Sequence, residues 1–108
     1  MSKKTEKAQI RIKEIKKQLG AVGPMMPGSL SLQQRKDGNA NLYGSYWKLG
    51  YTHKMKSRSH YVPEELVKVI EVQNKQYKVF KRLMEEWVDL ALSIAQIELD
   101  LAKKKLKN

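Results

Sequence analysis

The chain has 108 residues, with 22 lysines and arginines against 11 acids, a formal net charge of +11, and no cysteine. Disulfides, a thiol nucleophile, iron–sulfur clusters and cysteine-ligated zinc are thereby excluded, and two histidines, His53 and His60, are too few for a His-rich metal site. A chain this short holds one domain and buries roughly two thirds of its unfolded surface at best, less if elongated, so binding is a better first expectation than catalysis. The charged start, MSKKTEKAQIRIK, lacks the apolar core of a secretory signal. No apolar run approaches the roughly 20 residues that span a bilayer, so no membrane partner and a cytoplasmic location are expected.

Residues 1–20 read as a basic amphipathic helix. Ala8, Ile12, Ile15 and Leu19 recur at helical spacing on one face, and lysines and Arg11 fill most of the rest. Gly20 is expected to take the left-handed conformation that ends a helix, with Gly23-Pro24 beyond it. The apolar face lacks Trp and Phe, which is thin for a membrane anchor. Docking on the long helix is favoured, with Lys13, Lys16 and Lys17 free for secondary phosphate contacts.

Residues 21–62 hold the loop Gly23-Pro24-Met25-Met26-Pro27-Gly28 and then a period of two. Leu30 and Leu32 alternate with Ser31 and Gln33, and Trp47, Leu49 and Tyr51 with Tyr46, Lys48 and Gly50. Asp37-Gly38-Asn39 is turn chemistry, and His53-Lys54-Met55 is expected to turn the chain into a third strand, Lys56 to Val62. A three-stranded antiparallel sheet follows. From Pro63-Glu64-Glu65, a helix start, nothing breaks the pattern until about Leu106, roughly 44 residues or about 66 Å. Phe80, Leu83, Trp87, Leu90, Ile94, Ile97 and Leu101 form a heptad seam that must meet another helix, and dimerisation through it is expected. The fold class is α+β.

Charge is concentrated. Residues 1–20 and 21–62 each carry a net +5, whereas residues 63–108 carry only +1. If Leu30, Leu32, Trp47, Leu49, Tyr51 and Tyr61 face the helices, the opposite face displays Ser31, Gln33, Arg35, Tyr46, Lys48, Thr52, Lys56, Arg58 and His60. That face has no acid and suits phosphates and base edges. Nucleic-acid binding is favoured over a merely solvated face, with duplex DNA the first expectation and RNA left open. Tyr46 is the better candidate for base stacking, whereas Phe80, Trp87, Trp47 and Tyr51 are read as core. Glu85, Glu86 and Asp89 read as solubilising carboxylates. The serines near His60 lack a third partner, and no Gly-rich phosphate loop occurs. No enzyme and no cofactor are expected. The alternative is an adaptor subunit that docks its long helix on a larger assembly, a transposase or a ribonucleoprotein.

The stretches Gly23-Pro24-Met25-Met26-Pro27-Gly28-Ser29-Leu30-Ser31, Tyr43-Gly44-Ser45-Tyr46-Trp47-Lys48-Leu49 and Ser57-Arg58-Ser59-His60-Tyr61-Val62-Pro63-Glu64-Glu65 together resemble a family of short prokaryotic proteins of unknown function. Some members are associated with transposases. The likeness covers about residues 23 to 90 and extends to Asn74, Tyr77 and Phe80 on the long helix. It implies dealings with nucleic acid by association. Many members carry a cysteine cluster that looks like a metal site; here the region reads Arg35-Lys36-Asp37-Gly38-Asn39-Ala40-Asn41-Leu42, so no zinc is implied. The sheet is also similar to the three-stranded sheets with which some integrase arm-binding domains enter a DNA groove.

Overall fold

The computed structural model describes residues 3–36 and 42–107. Its elements are α1 (Lys3–Gly20), β1 (Ser29–Lys36), β2 (Leu42–His53), β3 (Lys56–Val62), a single 3-10 turn (Glu64–Leu66) and α2 (Val67–Lys107). The expected α+β architecture of helix, antiparallel sheet and long helix is what the chain adopts. It divides into two compact units, one of residues 1–22 with 79–108 and one of residues 23–78. The expected turn at Asp37-Gly38-Asn39 lies outside the described residues.

In the helical unit, α1 runs for 18 residues and buries Ile15 completely, with Ala8, Ile12 and Leu19 half-buried on the same face. Its end differs from expectation. Gly20 does not take the left-handed conformation, which among described glycines belongs to Gly28 and Gly44. The helix closes instead by tightening: the N–H groups of Ala21 and Val22 donate to the carbonyls of Gln18 and Leu19 at 3.1 and 3.2 Å. Bonds across three residues satisfy terminal carbonyls without a left-handed cap.

α2 runs unbroken for 41 residues. The seam read from its sequence meets a helix of the same chain. Leu83 is 2% exposed, and Phe80, Trp87, Leu90, Ile94 and Ile97 are half-buried, while only Leu101 at the far end is open. Arg11 holds Glu86 with both ends of its guanidinium, Nε and Nη2 donating to the two carboxylate oxygens at 2.5 and 2.8 Å. Lys16 Nζ lies 5.3 Å from the centre of the Trp87 ring, a cation–π pair. Docking of α1 on α2 is therefore the arrangement in this unit. Leu83, expected at an interface between chains, is consumed inside one, because the nearest amphipathic helix in concentration terms is the chain's own.

In the sheet unit the strands form a meander, β1-β2-β3, antiparallel throughout. Leu49, Val62 and Val67 are buried, with Met26, Leu30, Trp47 and Ile70 packed around them, so the first turns of α2 and the Pro-Gly loop cover one sheet face. Pro63 starts only a 3-10 turn, with Leu66 N–H donating to its carbonyl at 2.9 Å. The α-helix begins at Val67, the first of these residues with a side chain in the core. The loop itself is pinned to α2 at three points. Met26 N–H donates to the Gln73 carbonyl at 3.1 Å, Asn74 Nδ2 donates to the Met26 carbonyl at 2.8 Å, and Gly23 N–H donates to Gln76 Oε1 at 3.0 Å. At its end Gly28 has φ +103, and a Cβ there would stand 2.2 Å from the Gly50 carbonyl oxygen. Only glycine fits this crossing onto β2.

Candidate nucleic-acid interface

Register fixes which side chains share a face, since residues directly opposite in an antiparallel pair point the same way. One set of rows reads Leu32–Trp47–Val62, Leu30–Leu49–His60, Tyr51–Arg58 and His53–Lys56. The other reads Gln33–Tyr46, Ser31–Lys48–Tyr61, Ser29–Gly50–Ser59 and Thr52–Ser57. The single basic face expected from the sequence is therefore divided. Ser31, Gln33, Arg35, Tyr46, Lys48 and Thr52 lie together on the face away from the core, as expected. Lys56, Arg58 and His60 fall on the core side, beyond the part that α2 covers. Tyr61, expected inward, is 63% exposed on the polar face, and Val62 takes the buried place at 5%.

The cause is one residue of turn. Reading His53-Lys54-Met55 as a three-residue turn puts Tyr61 opposite Trp47. The actual connection is the two-residue turn Lys54-Met55, closed by the pair His53–Lys56. A shift of one residue sends every β3 side chain to the other face.

The polar face is an aromatic and hydroxyl surface with cations set into it. Arg35 Cζ stands 5.2 Å from the Tyr46 ring centre, and the Tyr46 and Tyr61 rings are 6.4 Å apart, tilted by 38°. The pairing shifts by one residue between Gln34 and Lys36, and Arg35 keeps the face of Ser31 and Gln33, which sets it beside Tyr46. Lys48 is half-buried between Ser31 and Tyr61. Gln33 Nε2 donates to Ser31 Oγ at 2.9 Å, and the Thr52 and Ser57 hydroxyls are 2.8 Å apart. Gly50, flanked by Ser29 and Ser59, leaves an open depression walled by Lys48, Thr52 and Ser57.

On the core side, the His60 ring stacks on Tyr51 with centroids 5.6 Å apart and planes within 17°, and Nε2 and the Tyr51 hydroxyl are 3.4 Å apart. Arg58 and Lys56 are exposed beside this pair. No strand contains an acidic residue. From Ile15 to Pro63 the one acid is Asp37, so nothing in the sheet neutralises its cations.

Of the expected α1 contacts, Lys13 and Lys17 are exposed, while Lys16 is engaged with Trp87. Among the described residues no group of three or more His, Cys, Asp or Glu side chains could hold a metal, and no helix is long and apolar enough to cross a membrane. The sequence reading missed Tyr61, Ser57 and Ser59 as parts of the polar face. No turn residue announces the shift, since Lys54-Met55 holds neither Asn nor Gly. Glu86, read as solubilising, is instead the partner of Arg11. Comparison with protein-family models, with curated proteins and with solved structures gives no match.

Proposed function

We propose that this chain is a small nucleic-acid-binding protein that takes duplex DNA on its sheet and pairs with a second copy through its long helix. The observation that carries the reading is the acid-free sheet, on which Arg35, Tyr46, Tyr61 and Lys48 form one continuous surface. Arg35 and Lys48 would meet phosphates, the hydroxyls and Gln33 would supply hydrogen bonds, and Tyr46 and Tyr61 would give apolar contact to sugars and bases. Lys56 and Arg58, at the hairpin end of the other face, extend the positive field of the sheet, and Lys13 and Lys17 of α1 would make secondary phosphate contacts of their own. Phosphate binding releases counterions, so affinity should fall steeply with salt.

The helix-to-helix contact does not use the seam that α1 already fills. A second stripe, Val88, Leu92, Ala95, Leu99, Ala102 and Leu106, recurs at spacings of 4, 3, 4, 3 and 4 and is exposed throughout. Leu92, Leu99 and Leu106 are 63%, 56% and 87% exposed. Heptad spacing with alternating Leu and Ala suits close packing of two such helices, and doubling the sheets strengthens binding by linked engagement.

The test is a titration of the purified chain against duplex DNA, single-stranded DNA and structured RNA of equal length, at about 50 and 200 mM salt. The reading requires tight duplex binding with a steep salt slope, lost in an Arg35→Glu, Lys48→Glu variant. Equal, weak binding to all three probes would reject it in favour of an adaptor, whose α2 stripe is covered by another protein.

A further inference from the structure

Hairpin tips of this geometry are ordinarily made by Asn-Gly, because both central residues need positive φ. Here they are Lys54 at φ 51 and Met55 at φ 65. A side chain in that region is uncommon and carries a backbone cost, which persists where the surroundings hold it in place and clusters at functional positions. Met55 returns nothing to the fold, since it is 98% exposed. It stands at the apex of a two-stranded ribbon, with His53, Lys54, Lys56 and Arg58 around it, and the acids next to it in sequence are Asp37 and Glu64. Thr52 and Ser57 bridge the other side of the same ribbon. An unbranched, flexible apolar side chain is thus carried at the foremost point of a positively charged finger.

Resting on the reading of the chain as a duplex-DNA binder, we propose that Met55 is a wedge that the β2–β3 hairpin drives between adjacent base pairs from the minor groove. Apolar side chains of this kind unstack a base step and kink the duplex when flanking cations hold the neighbouring phosphates. Lys54, Lys56 and Arg58 are placed to do so. Pyrimidine–purine steps open most readily, so the wedge would favour TA and CA steps without reading base edges. The polar face of the sheet then supplies affinity, and the tip selects for deformability.

Met55→Gly separates this role from folding and from charge. Glycine accepts φ 65 without strain, so the variant should melt at or above the wild-type temperature, and no cation is lost. The probe is a short duplex with one central TA step whose adenine is replaced by 2-aminopurine, a base that brightens on unstacking. Wild type should brighten it and Met55→Leu should retain the effect. Met55→Gly should leave it dark, with affinity lower by about tenfold or more and an unchanged salt slope. If Met55→Gly brightens the probe as wild type does and binds within about twofold of it, the wedge is wrong while the sheet reading stands. If wild type itself shows no salt-dependent duplex binding, both are wrong.

Discussion

Asn74 donates its side-chain amide to the carbonyl of Met26, 48 positions earlier in the chain, at 2.8 Å. It is one of two polar residues buried among those described, and it ties the Pro-Gly loop to α2 at the point where the loop feeds β1. Met26 N–H returns a bond to the adjacent Gln73 carbonyl, so the loop's backbone is satisfied by the helix rather than by water. Replacing Asn74 with Leu keeps the bulk and orphans the Met26 carbonyl. A loss of about 1–3 kcal/mol is expected, measured by urea unfolding followed through far-ultraviolet circular dichroism.

Gly28 should tolerate no side chain. An alanine would need φ +103 and would place its Cβ 2.2 Å from the Gly50 carbonyl oxygen and 2.8 Å from Tyr51 Cβ. The backbone conformation alone costs about 1–3 kcal/mol, and the collision with backbone adds to it by forcing β1 away from β2. Gly28→Ala should therefore lower the melting temperature far more than Gly23→Ala, whose added methyl meets nothing within 4 Å.

Leu83 and Leu92 test the division of α2 into an inner and an outer stripe. Leu83→Ala removes a fully buried side chain and should cost about 2–5 kcal/mol at any protein concentration. Leu92 is 63% exposed, so Leu92→Glu should leave the isolated chain's stability within about 0.5 kcal/mol while abolishing self-association in sedimentation. If both variants sediment as wild type does, the outer stripe is not a contact between copies.

The Arg11–Glu86 pair predicts an acid-side effect. The Arg11 hydrogen bonds hold the Glu86 carboxyl below its ordinary 4.5, burial opposing them in part, and Glu86 and then Glu14 push Arg11 further above its usual range. A depressed carboxylate stabilises the fold above its unfolded pKa and loses that contribution as pH falls through its folded value. Arg11 stays charged throughout. The melting difference between wild type and Glu86→Gln should thus be constant near neutrality and close below pH 4.5. The Glu86 side chain is 37% exposed, so the difference should be small and shrink in high salt.

Tyr61 and His60 are neighbours whose roles the register decides. Tyr61→Ala should weaken duplex binding, since it removes an exposed ring from the polar face beside Tyr46, and should cost the fold little because the side chain is 63% exposed. His60→Ala should act on the opposite face by freeing Tyr51. Equal losses of duplex affinity from both, measured by fluorescence anisotropy at one salt concentration, would mean that the polar face is not the principal surface.

The sequence by itself determined the elements of this protein. Ile12, Ile15 and Leu19 mark one helix, the alternation through Leu30 and Leu49 marks strands, and the run beyond Pro63 marks a long helix, because side-chain period reports backbone geometry directly. Concentration of charge in the first helix and the sheet was equally legible, being a count. Tertiary structure alone decided what the elements meet. The heptad seam demanded a helix without saying whose, and α1 of the same chain supplies it around Leu83, leaving the stripe through Leu92 and Leu99 outside. The sheet's two faces could be drawn strand by strand, but their alignment turned on whether two or three residues make the β2–β3 turn. Without Asn-Gly to announce a two-residue turn, only the pairing of Leu49 with His60 settles it. Local pattern fixes the phase within a strand; hydrogen bonds between strands fix the phase from one to the next.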